Sequence, residues 1–454
     1  MILEEVNLAE LARSIAQLLK EKQFRELKTL LEDLNPIDIA EVFDELEAEA
    51  CVILFRLLKK DKAAEVFSYA SPGRQKDIVG VIHVSLLNYI IDELCFDDKI
   101  DFLEEMPANF VKRVIATASP EERGLINQFL NFKENSAGSL MTIEYVHLKK
   151  NMSVRQALDK IKSVGMEKET VYTCYVLDDT RDLEGIVSLR RLVLSDDDLL
   201  IADIMTEDVV QCETGDDQED VAALFKKYGF MALPVVDAEN RMVGIITIDD
   251  IVDVIEQENT EDFQKMAAVA PSDEAYMITG PLAMAKRRFP WLLILMISAT
   301  LTESIIGMYE ELISTVVVLA ASIPLLMGTG GNAGSQASCL IVRGIALGEV
   351  ELRNWPRIAW KELRVSLLVG VMLAIANALR MMILGDPTPT LLLTVNSALI
   401  ATIVMAKIVG CTLPILAKTA KVDPAVMATP LITTIVDAMA LVIFFGIATA
   451  LIIR

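Results

Sequence analysis

The 454 residues carry 42 basic and 65 acidic side chains, a net charge of −23, and 53% of them are hydrophobic. That balance excludes a nucleic-acid surface, which needs clustered positive charge, and it suits small cations. The charge is unevenly spread. Residues 1–290 hold a net −24 and residues 291–454 a net +1, so an acidic soluble half is joined to a hydrophobic half of membrane length.

Met1–Glu10 (MILEEVNLAE) lacks the basic start and apolar run of a signal peptide, so the soluble half is expected in the cytoplasm. Cys51, Cys95, Cys174, Cys212, Cys339 and Cys411 show no CxxC spacing, which indicates neither a disulfide framework nor a zinc knuckle. His83 and His147 both precede the membrane half, so soft-metal transport finds few ligands there.

Residues 1–132 read as short amphipathic helices. NPIDIAEVFDELE, KKDKAAEVFSYASP, FDDKIDFLEEMP and ASPEERGLINQFL recur with a Pro or Asp start and apolar residues at i, i+3 and i+4. This predicts an all-α helical repeat domain. A Gly/Ser break follows at Asn135–Ser139. Residues 133–262 hold an internal duplication. Met141–Thr142 opens the first copy and YTCYVLDDTRDLEGIVSLRRL closes it; Met205–Thr206 opens the second and FMALPVVDAENRMVGIITIDDI closes it. Each copy reads strand, helix, strand, turn, strand, helix, and the two together resemble a tandem CBS pair, an α/β regulatory module. Residues 250–289 read as an acidic helix leaving the second copy, then an amphipathic approach that ends in Lys286, Arg287 and Arg288.

Residues 290–454 predict a transmembrane domain of five helices, roughly 291–309, 313–341, 365–384, 391–417 and 425–453, each near or above the ~20 apolar residues a crossing needs. Pro324, Gly328–Gly334 and Pro430 interrupt them, which is tolerated where backbone is buried or lines a cavity. Basic residues cluster at alternate ends: Lys286–Arg288, then Arg343, Arg353, Arg357, Lys361 and Arg364, then Lys418 and Lys421. Positive-inside counting makes these ends cytoplasmic, with Glu310–Glu311 and Gly385–Asp386 outside, the amino end inside and the carboxyl end outside.

Asp437 stands among apolar residues in PLITTIVDAMALVIFF, about 12 residues into the fifth span and so roughly 18 Å deep. An acid at that depth marks a functional site. Pro430 frees backbone carbonyls toward the same region, and carboxylate plus backbone oxygen is hard-cation chemistry that suits magnesium. The alternative is a structural acid, paired with a basic neighbour or protonated. GTGGNAGSQ (Gly328–Gln336) has two readings: an unwound segment whose carbonyls, with Asn332, Ser335 and Gln336, line a pore, or small-residue helix packing. Glu303 and Lys407 are further charges inside spans. Lys407 needs a partner, which is Asp437, Glu303 or the cytoplasmic interface it snorkels to.

GTGGNAGSQASCLIVRGIALGEV and VDPAVMATPLITTIVDAMALVIFF resemble the MgtE family of magnesium channels and transporters, and the order helical domain, CBS pair, linking helix, five spans matches as well. The resemblance implies a multi-pass homodimer in the cytoplasmic membrane with its pore on the twofold axis. It implies that Gly328, Gly330, Gly331, Asn332, Gln336, Thr433 and Asp437 line the pore, with Asp437 and Asp423 contacting the ion. It also implies closure by cytosolic Mg2+ bound at Glu65, Asp97 and Asp101 in the helical domain, Asp217, Glu219, Asp250 and Asp253 in the second CBS copy, and Glu258, Glu261 and Asp262 on the linking ("plug") helix. Relatives often carry an acid at Gly229, so one ion site is expected to be missing. Arg191 stands where nucleotide-binding copies have Asp, although Thr247 and Asp250 remain in the second copy, and this argues against nucleotide binding. Mg2+ is thus the expected cargo and regulator. A sodium- or proton-coupled carrier is the alternative, and a sensor without transport a further one. An intramembrane protease lacks its residues, since HExxH and membrane histidines are absent.

Overall fold

The computed structural model describes residues 8–272, 276, 279–385, 387–427 and 429–452. It divides into two compact units, one ending at Ile255 and one beginning at Glu256.

In the first unit ten short helices come first: α1 Leu8–Lys20, α2 Phe24–Asp33, α3 Pro36–Asp44, α4 Ala48–Phe55, α5 Lys60–Ser68, α6 Pro72–Val81, α7 Val84–Glu93, α8 Phe96–Glu104, α9 Ala108–Thr117 and α10 Pro120–Phe129. Pro sits in the first turn of α3, α6 and α10, where no amide is needed for the helix ladder. Ser71 and Ser119 cap α6 and α10 by accepting backbone amides. Buried aromatic rings run through the stack in edge-on pairs: Phe43 on Phe55, Phe67 on Phe102, and Phe96 on Phe129.

The expected break at Asn135–Ser139 is a short helix, α11 (Ala137–Leu140), at whose start the Ser139 hydroxyl accepts the Ser136 amide at 3.2 Å. Two matched lobes follow. The first has β1 Tyr145–Leu148, α12 Val154–Val164, β2 Thr170–Leu177, β3 Leu183–Ser188 and α13 Leu189–Leu194. After α14 (Ile201–Ile204), the second has β4 Cys212–Glu213, α15 Gln218–Tyr228, β5 Ala232–Val236, β6 Met242–Thr247 and α16 Ile248–Met266. Each sheet pairs its first two strands in parallel and its last two antiparallel. The duplication read from sequence is therefore a structural one. Gly229 ends α15 with φ +68°, its amide donating to the Phe225 carbonyl, a conformation glycine adopts without strain.

The second unit carries the long helices: α17 Pro281–Met308, α18 Glu310–Thr315, α19 Val317–Ala346, α20 Trp355–Leu384, α21 Pro389–Thr419 and α22 Thr429–Ile452. Among the described residues four spans, containing α17, α20, α21 and α22, are long and apolar enough to cross a membrane. α19, with 30 residues, is the fifth long helix. Val395 and Ile403 of α21 with Val436, Leu441, Phe444 and Phe445 of α22 form part of the buried core of this unit.

Candidate ion-binding sites

α19 is helical throughout Gly328–Gln336, so this segment is not an unwound, carbonyl-lined stretch. Its glycines serve close packing. A Cβ on Gly330 would lie 2.7 Å from the Thr402 methyl and 3.0 Å from Val436, and one on Gly410 would lie 2.3 Å from the Gly334 carbonyl oxygen. α19, α21 and α22 thus meet along a seam that only small residues permit. Gly330 and Gly331 are buried in it, while Gly328, Asn332 and Gln336, spaced by one helical turn each, are exposed on the outer face.

Asp437 borders that face. It is half-buried, and a Cβ on Gly331 would stand 3.8 Å from its Oδ1 and 3.1 Å from the Thr433 methyl. α22 starts at Thr429, so Asp437 lies eight residues in, about 12 Å along the axis rather than 18 Å. Pro430 falls in the first turn instead of breaking a helix, and its carbonyl accepts the hydroxyls of Thr433 at 2.9 Å and Thr434 at 3.1 Å. The freed carbonyl expected from sequence is therefore satisfied locally. Among the described residues Asp437 forms no ion pair. Lys407 pairs with neither Asp437 nor Glu303. It meets Glu362 of α20 at 3.6 Å, both side chains largely buried. Glu303 is exposed on α17.

A second group in the same unit surrounds the end of α16. Asp423, just ahead of a 3-10 turn at Pro424–Met427, accepts the Ala425 amide at 2.8 Å and the Lys265 ammonium at 2.6 Å. Lys265 also pairs with Glu261. Burial works against the Lys265 charge, but its bonds to Asp423 and Glu261 hold it above the ordinary lysine range. Burial, then repulsion from Asp423, pushes Asp262 up to about 6. Glu258 is half-buried on the same helix. This is an anionic pocket with a tethered ammonium at its centre.

The first unit holds a third group. Burial first, then carboxylate neighbours, pushes Asp98 up to about 6 and Asp101 and Asp250 up to about 7. Thr247 opposes part of this for Asp250 by donating its hydroxyl at 2.8 Å. Asp97 is held well above the carboxylate range by burial and by Asp250, Asp98 and Glu169, and its Oδ1 is buried with no hydrogen-bond partner. Mutual repulsion with an orphaned oxygen is what a divalent cation relieves, so the residues fit magnesium. Glu65 is exposed on α5. Asp217 caps α15 through the Glu219 amide at 3.1 Å, and Asp217, Glu219 and Asp253 are exposed.

Comparison with known proteins agrees with this layout. Residues 323–447 match the MgtE divalent cation transporter domain, 34–135 the MgtE intracellular N domain, and 137–197 and 201–257 CBS domains. The magnesium transporter MgtE of Thermus thermophilus is 38% identical over 446 residues, 97% of this chain and 98% of that one. The chain belongs to the MgtE family. The Bacillus subtilis magnesium transporter MgtE is 30% identical, with 99% of each chain covered. A crystal structure of the cytosolic domain of the Mg2+ channel MgtE in complex with ATP covers 54% of this chain and 99% of its own, at 37% identity and a TM-score of 0.52. MgtE membership places the chain among multi-pass transport proteins and not among enzymes.

Within this MgtE chain several site neighbours were not anticipated from sequence: Lys265, Glu362, Cys95, Glu144 and Glu169. Glu144 and Glu169 each directly precede a strand. That position was visible in the sequence. The register that sets them side by side was not.

Proposed function

We propose that the protein is a homodimeric magnesium channel of the cytoplasmic membrane, which imports Mg2+ and is closed by cytosolic Mg2+. The observation that carries this reading is the polar line on α19, Gly328, Asn332 and Gln336, exposed beside the half-buried, unpaired Asp437. Amide side chains and a carboxylate facing hydrocarbon would each cost several kcal/mol, roughly 2–4 apiece. A second copy placing the same face opposite gives them water and an ion instead. Asp437 then contributes one carboxylate from each subunit. Hydrated magnesium accepts such distant, sparse ligation. The names of the relatives support magnesium as cargo. The positive-inside pattern supports a cytoplasmic amino end and an external carboxyl end.

Closure follows from charge. When Mg2+ enters the Asp97–Asp101–Asp250 cluster, repulsion turns to attraction and the helical repeats are held on the second CBS copy. Asp423 with Glu258, Glu261 and Asp262 does the same at the plug helix, where Lys265 supplies part of the positive charge permanently. Asp217, Glu219, Asp253 and Glu65 complete the regulatory set. A nucleotide has a weaker case. A relative's cytosolic domain holds ATP, yet Arg191, exposed on α13, can only donate where a ribose needs an acceptor. Titration calorimetry should give weak ATP binding or none; micromolar affinity lost on Asp250→Asn would contradict this.

The test of the channel reading is Mg2+ flux into proteoliposomes. Flux should follow the magnesium gradient and membrane potential, unchanged when sodium or proton gradients are collapsed. Dependence on either gradient would make the protein a coupled carrier. Removal of residues 1–132 should leave flux high at millimolar cytosolic-side magnesium, and normal closure would place the closing device elsewhere.

A further inference from the structure

We infer that the cytosolic unit holds a site for a borderline-soft divalent cation such as zinc or cobalt, formed by the Cys95 thiolate with the carboxylates of Glu144 and Glu169. Their ligand atoms lie within 4.8 Å of one another, all three residues half-buried. Among the described residues no other group of three such donors is as close.

The backbone builds this arrangement. Parallel pairing of β1 with β2 sets Tyr145 opposite Thr170, and the Glu169 amide donates to the Glu144 carbonyl at 2.9 Å. The two acids before those strands therefore project side by side. Cys95 precedes α8, and the Phe96 amide donates to the Glu144 carboxylate. One fixed bond thus anchors the start of α8 over the two acids. The thiol and the Glu169 carboxylate are within hydrogen-bond reach. The nearby cations do not neutralise the trio. Lys168 and Lys99 both attract Glu144, but Lys99 is committed to Glu122 at 3.1 Å, and among the described residues Lys168 forms no ion pair.

A second observation points the same way. Asp97, two residues beyond Cys95, has its buried Oδ1 unpartnered, and its charged neighbours include Glu169. The Asp98 amide donates to this carboxylate, but the remaining oxygen among acids is one that a cation would satisfy. A water can take the fourth position.

The donor set decides the class of ion. Zinc binds thiolate at about 2.3 Å and carboxylate at about 2.0–2.2 Å, so tetrahedral donors stand roughly 3.5 Å apart. The trio needs only a small contraction to reach that. Magnesium takes oxygen and water, and thiolate selects against it. Binding exchanges the thiol proton for the metal and releases that proton to solvent. The bound ion would tie α8 to the first CBS copy, on the side where the regulatory acids of α8 also stand.

Cobalt is the probe, titrated into the full-length protein in detergent with magnesium in excess. One equivalent should produce a thiolate-to-cobalt charge-transfer band that magnesium leaves in place and zinc removes. Cys95→Ser should abolish the band, and Glu169→Gln should weaken cobalt binding at least ~10-fold. Zinc should also shield Cys95 from alkylation in the unmutated protein, read at that residue by mass spectrometry. That readout serves even if a variant misfolds. No band, a band surviving Cys95→Ser, or alkylation of Cys95 unaffected by zinc would each overturn the inference.

Discussion

Lys407 brings a positive charge into the membrane half, and Glu362 answers it at 3.6 Å. Removing one member of a buried pair leaves a bare charge, at a cost of about 3–5 kcal/mol, whereas replacing both with apolar groups is often neutral. Glu362→Gln should therefore lower the thermal midpoint of the purified protein clearly, and Lys407→Met with Glu362→Met together should restore most of it. Equal midpoints for the single variant and the parent would mean that the pair is open in the membrane. Because Lys407 is held by α20, it leaves the Asp437 carboxylate unneutralised, and the double variant should keep the parent's Mg2+ flux. In the sequence this pairing was out of reach. Glu362 precedes the expected third span by three residues and drew no attention there, while α20 starts at Trp355 and takes it into the long helix.

At the scale of elements, the close seam of α19, α21 and α22 sets the position of Asp437. Gly410→Ala would drive a methyl to within 2.3 Å of the Gly334 carbonyl oxygen. Two helix backbones would have to part, at a cost of about 1–3 kcal/mol. The expected outcome is a folded but less stable protein with altered flux, checked by thermal unfolding beside the liposome assay; unchanged values of both would show the seam to be loose. The elements themselves were legible. The two matched copies opened by Met141–Thr142 and Met205–Thr206 marked the strands, Pro- or Asp-led amphipathic phrases marked the repeats, and long apolar runs marked the spans. GTGGNAGSQ was not, because glycine content serves an unwound loop and a tight helix contact equally. Only the partners on α21 and α22 distinguish them. Pro430 misled for a related reason: a proline breaks a helix or begins one according to where the first turn falls.

For the whole molecule the governing fact is a soluble half at −24. Asp101 and Asp250 titrate near 7 and Asp98 near 6 in the folded unit, against an ordinary value of 3.8. The folded state therefore binds more protons than the unfolded one between about pH 4 and 7. Stability contributed by these groups is present below the ordinary value and is lost as pH rises through the folded values. In chelator the cytosolic unit should unfold at a lower temperature at pH 8 than at pH 5, and saturating Mg2+ should restore most of the difference. A midpoint that rises with pH in chelator would contradict the clustered acids. The central claim, that the exposed polar face beside Asp437 carries the ion, has a more direct test. Asp437→Ala should abolish Mg2+ flux into proteoliposomes while the protein still elutes at the size of the parent; flux at the parent's rate in that variant would show that Asp437 is a structural residue and that magnesium crosses elsewhere.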